Sequence, residues 1–86
     1  MSIARARVSP STATRPHRLR GVIERYVVLE GEGIATVGGV ASAVRVGDVV
    51  VIPAGVTQNI ANTGKGDLIF YCICTPRYTQ ECYEAM

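Results

Sequence analysis

The chemistry open to this 86-residue chain rests on few side chains. His17 is the only histidine, and an imidazole titrates close enough to neutrality to serve as a general base or a ligand. Arg15 stands two positions earlier, and its guanidinium suits a carboxylate or phosphate through paired hydrogen bonds. Glu24 is the only acid among residues 1–25, with Arg15 and Arg25 as candidate ion-pair partners. Cys72, Cys74 and Cys82 are three thiols and cannot all pair within one chain. The Cys-x-Cys spacing places Cys72 and Cys74 on one face of a strand and not at zinc-knuckle separation. They read as reduced thiols packed as small hydrophobes; if their face points inward, a thiolate ligand for zinc or copper is the alternative.

The elements that must position these groups are strands. Period-two alternation and β-branched runs recur along the chain, broken at short intervals by Gly, Pro and Asn, and no helical apolar spacing appears before residue 77. Strands are expected over Ile3–Val8, Arg25–Leu29, Ile34–Val37, Val40–Val46, Val49–Ile52, Gln58–Ala61 and Leu68–Cys74. Gly38-Gly39 has the composition of a tight primed hairpin turn. Short strands at this spacing imply an all-β sandwich or barrel, whose interior is filled by side chains or holds one small ligand. If His17 points inward, alternation sends Arg15 and Leu19 with it, toward a pocket mouth, and turns Arg18 and Arg20 outward. Arg5 and Arg7 alternate with Ala4 and Ala6, as on an exposed face guarding an edge strand. Tyr78 to Glu84 fits a short helix or an extended tail equally well.

Length and charge bound the reading. A chain of 9.2 kDa forms one domain, here residues 1–86 with 77–86 as a short C-terminal tail. Hydrophobic residues at 48% against 19% charged supply a core and exclude a solvated, disordered polymer. The longest apolar run, Val49 to Ile52, is far short of the roughly 20 residues a spanning helix needs, so no membrane segment is expected. The N-terminal Met-Ser-Ile-Ala-Arg lacks a secretory pattern, and a cytoplasmic protein is the expectation. The net charge of +2 hides an asymmetry: six arginines against Glu24 leave residues 1–25 at +5, and three cations against six acids leave residues 26–86 at −3. The arginines lack interleaved aromatics or a lysine cluster, so no nucleic-acid partner is expected.

Gly47-Asp48-Val49-Val50-Val51-Ile52-Pro53-Ala54-Gly55-Val56-Thr57-Gln58-Asn59-Ile60-Ala61-Asn62 resembles the second cupin motif, G-D-x4-P-x-G-x2-H-x3-N, with Gln58 in the histidine position. His17-Arg18-Leu19-Arg20-Gly21-Val22-Ile23-Glu24, followed by Arg25 to Gly31, resembles the first, H-x-H-x4-E-x6-G, with Leu19 in place of the second histidine. The chain thus resembles a small single-domain cupin, and the resemblance implies a double-stranded β-helix, or jelly-roll barrel. Gly47, Gly55, Pro53 and Asp48 have scaffolding roles that follow from turn chemistry alone. In the family, two histidines and a glutamate of the first motif and a histidine of the second bind a divalent metal inside the barrel. Carried over, His17 and Glu24 keep their chemistry, Leu19 is core, and Gln58 offers a neutral amide oxygen. One imidazole, one carboxylate and one weak donor fall short of the donor sets iron or zinc favours.

The leading expectation is therefore a cupin-fold protein that binds a small polar or anionic molecule through Arg15, His17, Glu24 and Gln58, with no committed metal. The alternative is a metal-dependent enzyme of dioxygenase, isomerase or cyclase type, with Fe, Mn, Ni or Zn held by His17, Glu24 and Gln58. A metal-free variant would use His17 as general base, Glu24 to orient the ring and Gln58 to polarise a substrate carbonyl. The third reading is a structural or interaction module. Few residues remain to cover the sheets, and outward positions such as Ile3, Val27 or Val28, and Ile69 or Ile73 imply a homodimer.

Overall fold

A computed structural model describes all 86 residues and contains nine strands. They are β1 (Ser2–Val8), β2 (His17–Leu19), β3 (Ile23–Glu30), β4 (Glu32–Val37), β5 (Val40–Arg45), β6 (Val49–Ile52), β7 (Gln58–Asn62), β8 (Leu68–Thr75) and β9 (Tyr83–Ala85). Two antiparallel sheets face each other, a four-stranded one in the order β1-β8-β3-β6 and a five-stranded one in the order β5-β4-β7-β2-β9. No helix is long and apolar enough to cross a membrane.

Alternation fixes which residues look inward. On β3, Glu24, Tyr26 and Val28 are buried; on β7, Gln58, Ile60 and Asn62 are. Val28, not Val27, is therefore the inward member of that pair. Nine buried residues, among them Tyr26, Val28, Ile52, Ile60, Leu68 and Phe70, form the main core, with the Tyr26 and Phe70 rings 4.7 Å apart at a 53° tilt. A smaller cluster of Leu19, Val22, Cys74 and Cys82 closes the other end.

The turns follow the sequence. Gly38 and Gly39 join β4 to β5 at φ +57° and +82°, the left-handed pair that a primed turn requires. Gly47 adopts φ +91°, and the Asp48 carboxylate accepts from the Arg45 backbone N–H at 3.0 Å, the turn role expected of it. Arg5 and Arg7 are exposed on β1, an edge of the four-stranded sheet. The segment after Pro76, for which helix and extended tail stood equal, makes a single 3-10 turn over Gln80–Cys82 and then runs as β9 along β2. Arg18 holds it through an ion pair to Glu84, and the Arg20 guanidinium donates to the Glu81 carbonyl at 2.7 Å.

Candidate functional site

The residues singled out by the motifs come from both sheets. Gln58 opens β7 and is the cross-strand partner of His17 on β2, so their side chains share the inner face of the five-stranded sheet. Glu24 lies on the facing sheet, where it pairs across strands with Cys74 on one side and Ile52 on the other. Register fixes His17 beside Gln58 in one sheet and Glu24 between Cys74 and Ile52 in the other, and Tyr26, two positions from Glu24, links the sheets through its hydroxyl to Gln58.

Burial makes their partners decisive. Gln58 is 1% exposed, and its carbonyl oxygen accepts from the Tyr26 hydroxyl. Its Nε2 has no hydrogen-bond partner and no access to solvent. Glu24 is 7% exposed; Oε2 faces the Cys74 thiol at 3.7 Å, a weak sulfur donor, and Oε1 has no partner. Glu24 joins no ion pair, so neither Arg15 nor Arg25 compensates it. Leaving buried donors and acceptors unpaired costs roughly 1–3 kcal/mol each, which makes two such atoms at one end of a small core a feature that calls for an occupant.

His17 is half-buried and held from two sides. A carbonyl oxygen can only accept, so Nδ1 carries the proton it donates to the Arg15 carbonyl at 2.7 Å, which leaves Nε2 as the free lone pair of the neutral ring. The ring stacks on Tyr83 of β9, with centroids 5.0 Å apart and planes 22° from parallel. Arg15 is exposed; β2 begins only at His17 and the chain ahead of it follows β7 through Thr14, so strand alternation does not extend to position 15. Its backbone carbonyl accepts from His17 Nδ1.

The thiols keep their protons near neutral pH. Burial first, then the Glu24 carboxylate beside it, pushes the Cys72 thiol up to about 12, and the same causes in the same order push Cys74 up to about 11. Burial, reinforced by Glu24, likewise raises the Tyr26 phenol, so Tyr26 is a firm donor to Gln58.

A divalent metal does not fit this donor set. No group of three His, Cys, Asp or Glu side chains is arranged so that it could hold a metal ion. The Gln58 oxygen that the sequence offered to a metal is occupied by Tyr26, and what Gln58 leaves without a partner is an N–H donor, which repels a cation, so Glu24 Oε1 is the one unpartnered anionic donor atom of the set. Position 19, a histidine in the motif, is a leucine buried among Val22, Cys74 and Cys82.

Two residues escaped the sequence reading. Tyr26 carried a signal, since it sits two positions from Glu24 and must share its face. Tyr83 carried none, because its place depends on how the tail folds back.

Comparison with known proteins places the chain. A family model described as Cupin domain, Cupin_2, matches residues 4–74, and the chain belongs to that family. An oxalate-binding protein of Thermotoga maritima is 33% identical over 70 residues, covering 81% of this chain and 58% of that protein. An uncharacterized protein of Methanocaldococcus jannaschii, MJ1618, is 32% identical over 85 residues, covering 99% of this chain and 68% of its own. Among solved structures, a predicted oxalate decarboxylase of T. maritima superposes with a TM-score of 0.81 at 32% identity, covering 84% of this chain and 63% of that one. The capsular polysaccharide assembling protein CapF of Staphylococcus aureus shares the fold, with a TM-score of 0.83 at 21% identity over 98% of this chain and 27% of its own. The chain thus spans only part of each of these proteins.

Proposed function

We propose that the chain is a cupin-fold binding protein that holds a small polar molecule at the Glu24 end of the barrel without a metal. The observation that carries this reading is the pair of buried, unpartnered atoms, Glu24 Oε1 and Gln58 Nε2, one an acceptor and one a donor. A molecule bearing a donor and an acceptor satisfies both and removes the penalty of leaving them bare. Tyr26 fixes the Gln58 amide in the orientation that aims its NH2 at the ligand. His17 Nε2 is the further polar group of the same inner face.

The anionic arm of the sequence reading keeps one support, the oxalate-binding relative, and loses another with the exposure of Arg15. Oxalate therefore belongs in the test. A thermal-shift panel of amides, ureas, alcohols, amines and carboxylates, read against Gln58→Leu and Glu24→Gln, is expected to give hits that both variants weaken. Elemental analysis of protein prepared without chelator is expected to find less than a tenth of an equivalent of Fe, Mn, Ni or Zn, roughly the noise of adventitious occupancy. Stoichiometric metal would transfer the site to the enzyme reading built on His17, Glu24 and Gln58. Leu19→His combined with Gln58→His adds two imidazoles to the inner face that holds His17, and is expected to create a thermal shift with Zn2+ or Ni2+ that the parent lacks. No such gain would mean that the register of β2 against β7 is wrong.

We also propose a homodimer through the outer face of the four-stranded sheet. Ile3 is 59%, Val49 57% and Val51 56% exposed there, and register joins Ile3, Ile73 and Val51 into one row with Arg25. Such an apolar sheet face is a liability in a monomer. Light scattering at micromolar concentration is expected to give twice the chain mass, and a clean monomer would end the proposal.

A further inference from the structure

The inner face of the four-stranded sheet holds a cavity of about 300 Å³, distinct in lining from the Gln58 amide. Ser2, Ile3 and Ala4 of β1, Cys72 and Cys74 of β8, and Tyr78 line it with Glu24. Its volume has room for roughly ten water-sized groups. A second, larger cleft of about 510 Å³ lies along β4 and β5 between Glu32, Arg45, Asp48 and Thr63, where Glu32 and Arg45 are exposed and no orphaned group marks a ligand.

Charge decides what the smaller cavity accepts. Glu24 is its only ionic group; no arginine, lysine or histidine lines it. The two thiols, kept protonated by burial and by the carboxylate itself, add soft apolar surface and no charge. Glu24 Oε2 has a thiol contact, and Oε1, on a residue more than nine-tenths buried, has nothing. Tyr78 lines the cavity from the segment beyond Pro76, held in place where its backbone N–H donates to Ser2 Oγ at 2.9 Å.

We propose that this cavity binds a small primary ammonium with a short apolar body, its N–H groups donating to the Glu24 carboxylate, whose shielded Oε1 turns toward it, and its carbon chain lying along Ala4, Cys72 and Tyr78. An ammonium supplies both the missing hydrogen bond and the missing countercharge, and it does so through one point contact that leaves the rest of the cavity apolar. A dicarboxylate such as oxalate would instead set like charges together with no cation to offset them. The inference rests on the small-molecule reading and concerns its Glu24 contact alone, because an ammonium carries no acceptor for Gln58 Nε2 and the cavity does not reach that amide.

Titration of the 15N-labelled full chain with n-butylammonium, butyrate, oxalate and butyramide, followed by amide shifts, tests it. Butylammonium is expected to move the signals of Glu24, Cys72, Cys74 and Tyr78 and to saturate, and Glu24→Gln to weaken it at least about tenfold, the usual scale for losing a charge-assisted hydrogen bond. Ala4→Leu, which narrows the cavity and keeps Glu24, is expected to weaken butylammonium as well, so the result does not depend on one variant's folding. Butyrate or oxalate binding at these signals as tightly as butylammonium, or binding indifferent to Glu24→Gln, would overturn the ammonium assignment. Butyramide or oxalate moving Gln58 and Tyr26 while butylammonium moves nothing would also overturn it and leave the broader reading standing; silence from all four probes and from the wider panel would sink both.

Discussion

Strand β7 carries two buried side-chain amides four residues apart, and they live differently. Asn62, 5% exposed, has its Nδ2 donating to the Val8 and Gly66 carbonyls and its Oδ1 accepting from the Gly64 N–H, all at 2.8 Å. Gln58, 1% exposed, has one bond to Tyr26 and a bare NH2. Both match positions of one motif, yet Asn62 is spent on holding the loop before β8 against the end of β1, and Gln58 is held ready. The packed end of the barrel satisfies its polar groups internally; the Glu24 end does not. That contrast supports the proposed site more than residue types do, because amides are chemically alike and only their partners tell them apart.

The contrast predicts unequal costs. Asn62→Ala removes three hydrogen bonds and strands the Val8 carbonyl in the core, so it should lower unfolding free energy by about 3 kcal/mol in urea titrations. A loss under about 1 kcal/mol would mean that water replaces the amide and that the two ends are not different in kind.

Gln58→Leu should cost less, about 1–2 kcal/mol, and the cost should come from the Tyr26 hydroxyl it orphans. Tyr26→Phe added to Gln58→Leu should then recover most of it, since an apolar pair of similar shape replaces a half-satisfied polar one. Both variants should lose the ligand. If the double variant is worse than the sum of the singles, Gln58 has a structural partner beyond Tyr26, and the comparison with Asn62 fails.

Much of the scaffold was legible because it depends on short-range rules. The Gly38-Gly39 turn, the Asp48 bond to the Arg45 amide and the arginines of edge strand β1 follow from turn chemistry and alternation within a few residues. The site was legible in part. Of the residues named from the motifs, His17 and Gln58 are cross-strand partners, and Arg15 is exposed ahead of β2, where strand alternation does not extend. Tyr83 and Tyr78 stayed invisible because they reach the site only through the return of a tail whose path is set by Arg18, Arg20 and Glu84, contacts far apart in sequence. A motif position states which residue type stood there, and a lone amide does not announce which of its atoms will be left unpaired.

The smallest expected effect concerns the thiols, which report the state of the Glu24 end without any ligand. Cys72 is raised from 9.0 to about 12 and Cys74 from 9.0 to about 11, by burial first and the Glu24 carboxylate second. A thiol whose folded value is raised keeps its proton longer in the folded chain than in the unfolded one, so its contribution to stability is whole below pH 9 and is lost as pH climbs toward 11 and 12. The urea midpoint should therefore fall over that window, and fall less steeply in Cys72→Ala. Glu24→Gln removes only the second cause. Alkylation of Cys72 by iodoacetamide at pH 8.5 should accordingly speed up several-fold in that variant yet stay slower than a free thiol, whose burial penalty is absent. A rate equal to that of free cysteine would mean that the carboxylate alone governs the thiols and that this end of the barrel is wetter than its unpaired atoms imply.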